Sequence, residues 1–199
     1  MNFFRKQIMM AGWIVVCLAT LGAALSRPAQ GQASQTDNPD WPLRSFTIHW
    51  PDGYTPQDAD LFAHNEVVIQ APCSVVWNHL VKASSWPEWY ANSHNVRLLN
   101  SPDGKLHPDT RFSWDTFGVH VESRVHEFVR TSRIGWFGDG TATQAYHTFL
   151  LEKVPAGCHV ITEEVVKGAG AIEVRRRDPQ AMHRGHDLWL ASLKRISEK

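Results

Sequence analysis

Apolar positions fall into three successive rhythms along this chain. Val67, Ile69 and Ala71 alternate with polar neighbours, the period of a half-buried strand. Pro72 follows, suited to the first turn of a helix, where its missing N–H costs nothing. Val75, Val76 and Leu80 then give the next segment one apolar face, and Trp86-Pro87 ends it and starts a second short helix, because the residue before a proline is pushed out of helical dihedrals. Beyond residue 100, two-residue alternation dominates. Its strands are punctuated by Pro102-Asp103-Gly104-Lys105, Phe117-Gly118, Thr131-Ser132, the glycine-rich stretch from Gly138 to Thr143, and Val154-Pro155-Ala156-Gly157. The pattern ends in helical spacing: Asp178 is placed to cap a helix with Pro179 at its first position, and Met182, Gly185 or His186, Trp189, Leu193 and Ile196 share one face. This predicts consecutive antiparallel strands closed by a long C-terminal helix, in an α+β domain.

Alternation also assigns an inner face. Phe112, Trp114 and Thr116 point one way, and a turn at Phe117-Gly118 sets Val119, Val121, Ser123, Val125 and Glu127 facing them. A turn centred on Thr131-Ser132 puts Glu127 opposite Trp136, a loop at Thr141-Ala142 puts Trp136 opposite His147, and a hairpin centred on Pro155-Ala156 pairs His147 with Glu164. Opposed Cβ atoms stand about 4.5–5.5 Å apart, near enough for imidazole and carboxylate to hydrogen-bond. The expectation is one lateral row of Glu127, Trp136, His147 and Glu164.

The segment EVVIQAPCSVVWNHLVKASSWPEWY (66–90), with RFSWDTFG, GWFG, AYHTFLLE and TEEVVKG further on, resembles the SRPBCC superfamily, the START-like or polyketide cyclase/dehydrase group. The motifs are specific as a set and weak one by one; together they cover 61–199. The resemblance implies a helix-grip fold: a curved antiparallel sheet wrapped around the long C-terminal helix, two short helices after the first strand, and a cavity between. In that topology the first strand pairs with the last, which brings Cys73 and Cys158 together and implies a disulfide; two buried free thiols are the alternative. Membership speaks to fold more than to reaction.

At 199 residues with 43% hydrophobic content, the chain suits one domain. It begins with Arg5 and Lys6, an apolar run of 18 residues from Ile8 to Leu25, and a Gly31-Gln32-Ala33 site, so residues 1–33 read as an export signal cut after Ala33; an uncleaved anchor over 8–25, with membrane contact through this segment, is the alternative. Val16 precedes Cys17 where a lipid-modified cysteine needs a small residue. Removing Arg5, Lys6 and Arg27 from the 20 basic residues leaves 17 against 20 acidic ones, a net charge of −3 that gives no footing for nucleic acid. It also leaves two cysteines, an even number suited to the periplasm or the exterior. Residues 34–60 read as an extended leader, with FTIHW (46–50) as a short strand.

The His147–Glu164 pair admits three roles. It is a polar anchor for a hydrophobic or aromatic ligand, a satisfied core pair, or a general base and its orienting carboxylate in a cofactor-independent cyclase, dehydratase or isomerase. The first reading makes this an exported ligand-binding protein; an envelope interaction module with a filled core is the remaining class. Trp114, Thr116, Trp136 and Trp189 wall the expected pocket with the Glu127–Glu164 row, while Trp86, Trp89 and Tyr90 are placed at its mouth, or else form a seam closing the short helices. Eleven histidines invite a metal check, but His183 and His186 lie three apart without an HExxH arrangement, and His120 and His126 fall on the outer face, so spacing alone assigns no metal. Arg175, Arg176 and Arg177 read as a loop before the last helix. No phosphate-binding, dinucleotide-binding or serine-nucleophile motif is present, and no cofactor is implied. Oligomeric state is not readable from these residues.

Overall fold

A computed structural model describes residues 38–199. The expected export signal over 1–33 and the first residues of the leader lie outside the described residues. Seven strands form one antiparallel sheet in the order β1-β7-β6-β5-β4-β3-β2. They are β1 (Leu61–Ile69), β2 (His94–Leu98), β3 (Arg111–Thr116), β4 (Val119–Val129), β5 (Arg133–Gly140), β6 (Thr143–Val154) and β7 (Gly157–Lys167). Helices α1 (Cys73–Val81) and α2 (Trp86–Trp89) follow β1, and α3 (Ala169–Arg177) and α4 (Ala181–Ser197) follow β7. The expected architecture stands. Among the described residues, no helix is long and apolar enough to cross a membrane.

The inner face of the sheet, α1, α2 and α4 share one core. Its centre is aromatic: Trp86 lies 5.3 Å from Trp114, 5.8 Å from Trp136 and 5.2 Å from Trp189, and Tyr90 stacks on Trp189 at 4.5 Å. Offset and edge-on pairs of this kind add roughly 0.5–1.5 kcal/mol each beyond their burial. The outer face is covered by the leader. Trp50 meets Phe62 and Tyr146 edge-on, and Tyr54 meets Phe137 at 5.2 Å. Beneath it Glu163, fully buried, accepts from the Ser45 backbone N–H and pairs with His64 Nδ1 at 2.7 Å. The leader is thus an integral outer layer. FTIHW forms turns and irregular chain instead of a strand, because Ser45 Oγ and Thr47 close a local turn while Ile48 alone of that stretch buries fully.

The β6–β7 hairpin ends on Gly157, at φ +134°, where an added Cβ would meet the Ile69 carbonyl oxygen at 2.1 Å. Only glycine lets the hairpin tip press onto the end of β1. Cys158 pairs in register with Ile69, and Cys73 at the start of α1 reaches it: the two form a disulfide, Cα–Cα 4.9 Å. The bridge implied by family resemblance is present.

The C-terminal expectation needs correction. Asp178 does not cap the last helix: it ends α3, in extended backbone (φ −155°, ψ 84°) imposed by Pro179, and α4 starts at Ala181. The arginine triplet therefore occupies the last turn of α3, where positive charge complements the helix dipole, and Arg176 and Arg177 both pair with Glu173.

Candidate functional site

Side chains shrink along the inner face from one end of the sheet to the other. On β5 the inward sequence is Ile134, Trp136, Gly138, Gly140; on β6, read in the same direction, it is Leu151, Phe149, His147, Ala145, Thr143. The large members fill the aromatic core, and the small ones leave a cavity of about 250 Å³ between the sheet, α3 and the start of α4. Trp114, Trp136, Val121 and Met182 are among its walls, and Ala171 and Val174 of α3 contribute to its roof. Phe117 and Val174 line it yet are 43% and 40% exposed, which marks the opening. Phe117, at φ +51° in the β3–β4 turn, lays its ring where a Cβ on Gly185 would be 2.3 Å away.

Among the described residues, His147 and Glu164 are the only ionisable ones in the lining. They are paired in register, as the hairpin predicts, and Trp136 stands opposite His147. They are not hydrogen-bonded to each other: His147 Nδ1 lies 4.0 Å from Glu164 Oε2. Each has another partner. The Thr162 hydroxyl donates to the Thr148 carbonyl at 3.1 Å, so its lone pairs accept from His147 Nε2–H at 2.8 Å. Glu164 Oε2 accepts from His186 Nε2 at 3.0 Å. His186, on α4, is fully buried and stacks on His147 with ring centroids 4.7 Å apart. One ligating atom from each of His147, Glu164 and His186 lies within 4.8 Å of the others.

Burial pushes the His147 imidazole down to about 3, against the attraction of Glu164 and with further lowering by His186. It is neutral across the ordinary pH range, the reverse of the raised basicity expected from a bonded carboxylate. Burial raises the Glu164 carboxyl, but the neighbouring imidazoles leave it below the usual range. A neutral His147 lends little charge, so the His186 hydrogen bond is the interaction that holds this carboxylate ionised.

Three site expectations change. Glu127 leaves the row: a register shift between Val125 and Glu127 pairs Val125 with Trp136 and sets Glu127 opposite Gly135. Its carboxylate turns to the leader and bonds His49 Nδ1 at 2.8 Å. Trp189 backs the wall without lining the cavity, packing 5.3 Å edge-on from His147. Trp86 and Tyr90 are fully buried and Trp89 is 9% exposed, and none of the three lines the cavity, so they form the hydrophobic seam and core, not the mouth. Trp114, Thr116, Trp136, His147 and Glu164 are among the residues that line it. His186 was visible only as a helix-face residue; its position on the α4 face packed against the sheet was the available signal.

No family model and no curated protein matches the chain. Solved structures do. A hypothetical protein, jhp0584, from Helicobacter pylori is 32% identical over 77% of this chain and 98% of its own, with a TM-score of 0.71. A START superfamily protein from Mycobacterium smegmatis aligns with 69% of this chain and 97% of its own at 11% identity and TM-score 0.55. The di-domain ARO/CYC BexL from the BE-7585A biosynthetic pathway aligns over 70% of this chain and 50% of its own at 21% identity and TM-score 0.55. The chain shares the helix-grip fold of these START-like and ARO/CYC neighbours.

Proposed function

We propose that this is an exported protein that binds a compact, mainly apolar molecule whose single polar end meets Glu164 and His147. The observation that carries the reading is the composition of the cavity: apolar and small side chains throughout, with both ionisable groups on one wall. At about 250 Å³ it is slightly smaller than the roughly 300–1,000 Å³ usual for ligand pockets, which suits a small ligand. The indole faces of Trp114 and Trp136 favour an aromatic or polyketide-like one, in keeping with the ARO/CYC name of one structural neighbour. Export is supported by the Cys73–Cys158 bridge, since disulfides persist in oxidising compartments.

The reading is tested by native mass spectrometry of protein purified from its own host, alongside Ala145→Phe, which fills the cavity from β6. A co-purifying small molecule, lost in the variant, is the expected result; the same spectrum reads removal of residues 1–33. Protein that carries no molecule, and an Ala145→Phe variant that binds hydrophobic probes as the parent does, would overturn it. The enzymatic alternative asks His147 to abstract a proton. An imidazole held near pKa 3 and 4.0 Å from its carboxylate is a weak base, so ligand anchoring is preferred.

A further inference from the structure

We propose that His147, Glu164 and His186 form a binding site for one divalent transition-metal ion, opening on the cavity.

The first support is a proton count. With its N–H committed to Thr162, His147 presents the lone pair of Nδ1 toward the Glu164 carboxylate 4.0 Å away. Two acceptors face each other across a gap, an arrangement that costs free energy unless a cation or a donor lies between them. Among the described residues Glu164 is ion-paired only with the two imidazoles, with no lysine or arginine against it. The wall of an apolar cavity therefore holds a carboxylate without a permanent counter-charge.

The second support is geometric. Metal–nitrogen and metal–oxygen bonds of about 2.0–2.2 Å require ligand atoms roughly 3–4.2 Å apart. His186 Nε2 and Glu164 Oε2 are 3.0 Å apart, His147 Nδ1 and Glu164 Oε2 4.0 Å, and the whole trio spans at most 4.8 Å. Tetrahedral ligand atoms stand about 3.4 Å apart, so the widest pair must close by up to roughly 1.4 Å, through rotation of the side chains. The two rings stack near-parallel, 18° apart with centroids 4.7 Å apart, so one of them must rotate for both in-plane lone pairs to meet at one ion. Donors come from β6, β7 and α4, rigid elements rather than loops. Thr162 supplies the partner that fixes the tautomer of His147, whereas His186 ligates through Nε2 only once its proton sits on Nδ1, which is buried without a hydrogen-bond partner.

Two imidazoles and one carboxylate suit zinc or ferrous iron rather than magnesium or calcium, which prefer oxygen. Three protein donors leave a coordination position for the cavity, where a carbonyl, carboxylate or phenolate group of a ligand would reach it. The site does not depend on the ligand proposal: it binds its ion whether or not an organic molecule fills the cavity.

The test uses the untagged full chain, stripped with chelator and titrated with Co²⁺, whose visible absorption reports coordination by nitrogen and oxygen, followed by displacement with Zn²⁺. One equivalent is expected, with affinity falling at least about 100-fold in His186→Ala and in Glu164→Gln, while His120→Ala, at an exposed His–Asp pair, leaves it unchanged. Glu164→Gln preserves side-chain shape, so its result stands even if His186→Ala misfolds; near-UV circular dichroism checks both. Absence of a one-equivalent spectrum, or equal binding by parent and Glu164→Gln, overturns the proposal, including the outcome in which only surface histidines take the ion. Native mass spectrometry reads the organic ligand separately, so either proposal can fail alone.

Discussion

Removing the Cys73–Cys158 bridge is expected to cost a large share of this domain's stability. The crosslink spans 85 residues, enclosing α1, α2 and β2–β6. In the chain-entropy treatment the lost unfolded-state freedom is about 2.1 + 1.5R ln n cal/mol/K, which for n near 85 gives roughly 15 cal/mol/K, or about 4.5 kcal/mol at 25 °C. That is a large share of the 5–15 kcal/mol typical of a domain. Both cysteines should be changed to alanine, because a serine at the fully buried position 158 would add the cost of burying a hydroxyl. Urea unfolding of the parent, the parent with reductant, and Cys73→Ala/Cys158→Ala should give two matching curves displaced from the oxidised parent by about 3–5 kcal/mol, with a steeper slope because the uncrosslinked chain exposes more surface on unfolding. A displacement under about 1 kcal/mol would refute the loop-entropy reasoning. Thiol labelling that finds both cysteines free in protein from the native host would refute the bridge and weaken the argument for export.

Other expectations follow from the site and core. In chelator, where no ion competes, His147 binds its proton near pH 6.5 when unfolded but near 3 when folded, so the unfolded state holds more protons between those values and stability falls as pH drops; from pH 7 to 5 the loss is about 2 kcal/mol, absent in His147→Gln, and parallel urea profiles would contradict it. Trp86→Ala should cost about 3–5 kcal/mol in thermal or urea unfolding, whereas Glu127→Gln, on the outer face, should change probe binding in the cavity by less than twofold. Gly185→Ala should leave the fold intact, since the ring it displaces is the half-exposed Phe117, and should accelerate entry and exit of a fluorescent apolar probe in stopped-flow measurements; unchanged rates would show that Phe117 is no gate.

The hairpins with tight, well-marked turns were legible. Pro155-Ala156 set the β6–β7 register, and with it the facing of His147 and Glu164, because a slip of one residue would have turned Phe149 and Leu151 to the wrong face. Glu127 was misplaced because a bulge adds one residue to β4 and nothing in a run of alternating residues marks where the extra residue sits. The His147–Glu164 hydrogen bond was inferred from Cβ proximity alone; register brings the side chains together but cannot tell which third residue takes the bond. That residue, His186, comes from a helix whose rotation decides whether Gly185 or His186 faces the sheet, and two adjacent residues cannot be separated by a 3.6 period alone. Helix α3 was hidden by composition: Ala171 is its single fully buried residue, and three arginines gave it the look of a solvated loop.

Why there is a cavity at all follows from that same unread stretch. The chain does not continue as a single helix from residue 169 to 197. Pro179 forbids this by forcing Asp178 out of helical dihedrals, and the chain breaks into α3 and α4. The break leaves Ala171 and Val174 on one side and Ala181 and Met182 on the other to face Gly138, Gly140 and Ala145 across the gap. These side chains do not close it, whereas further along the sheet Trp136 and Phe149, with Trp189 from α4 against them, pack into the aromatic core. His147 and Glu164 stand at the boundary between these regimes, buried by the aromatic side and reachable from the open side. An ionisable pair within the aromatic core would be inaccessible, and at the rim it would be solvated. Placed at the step in side-chain size, it has a neutral imidazole and a carboxylate in low-dielectric surroundings with one free approach, and whatever this protein recognises must come along it.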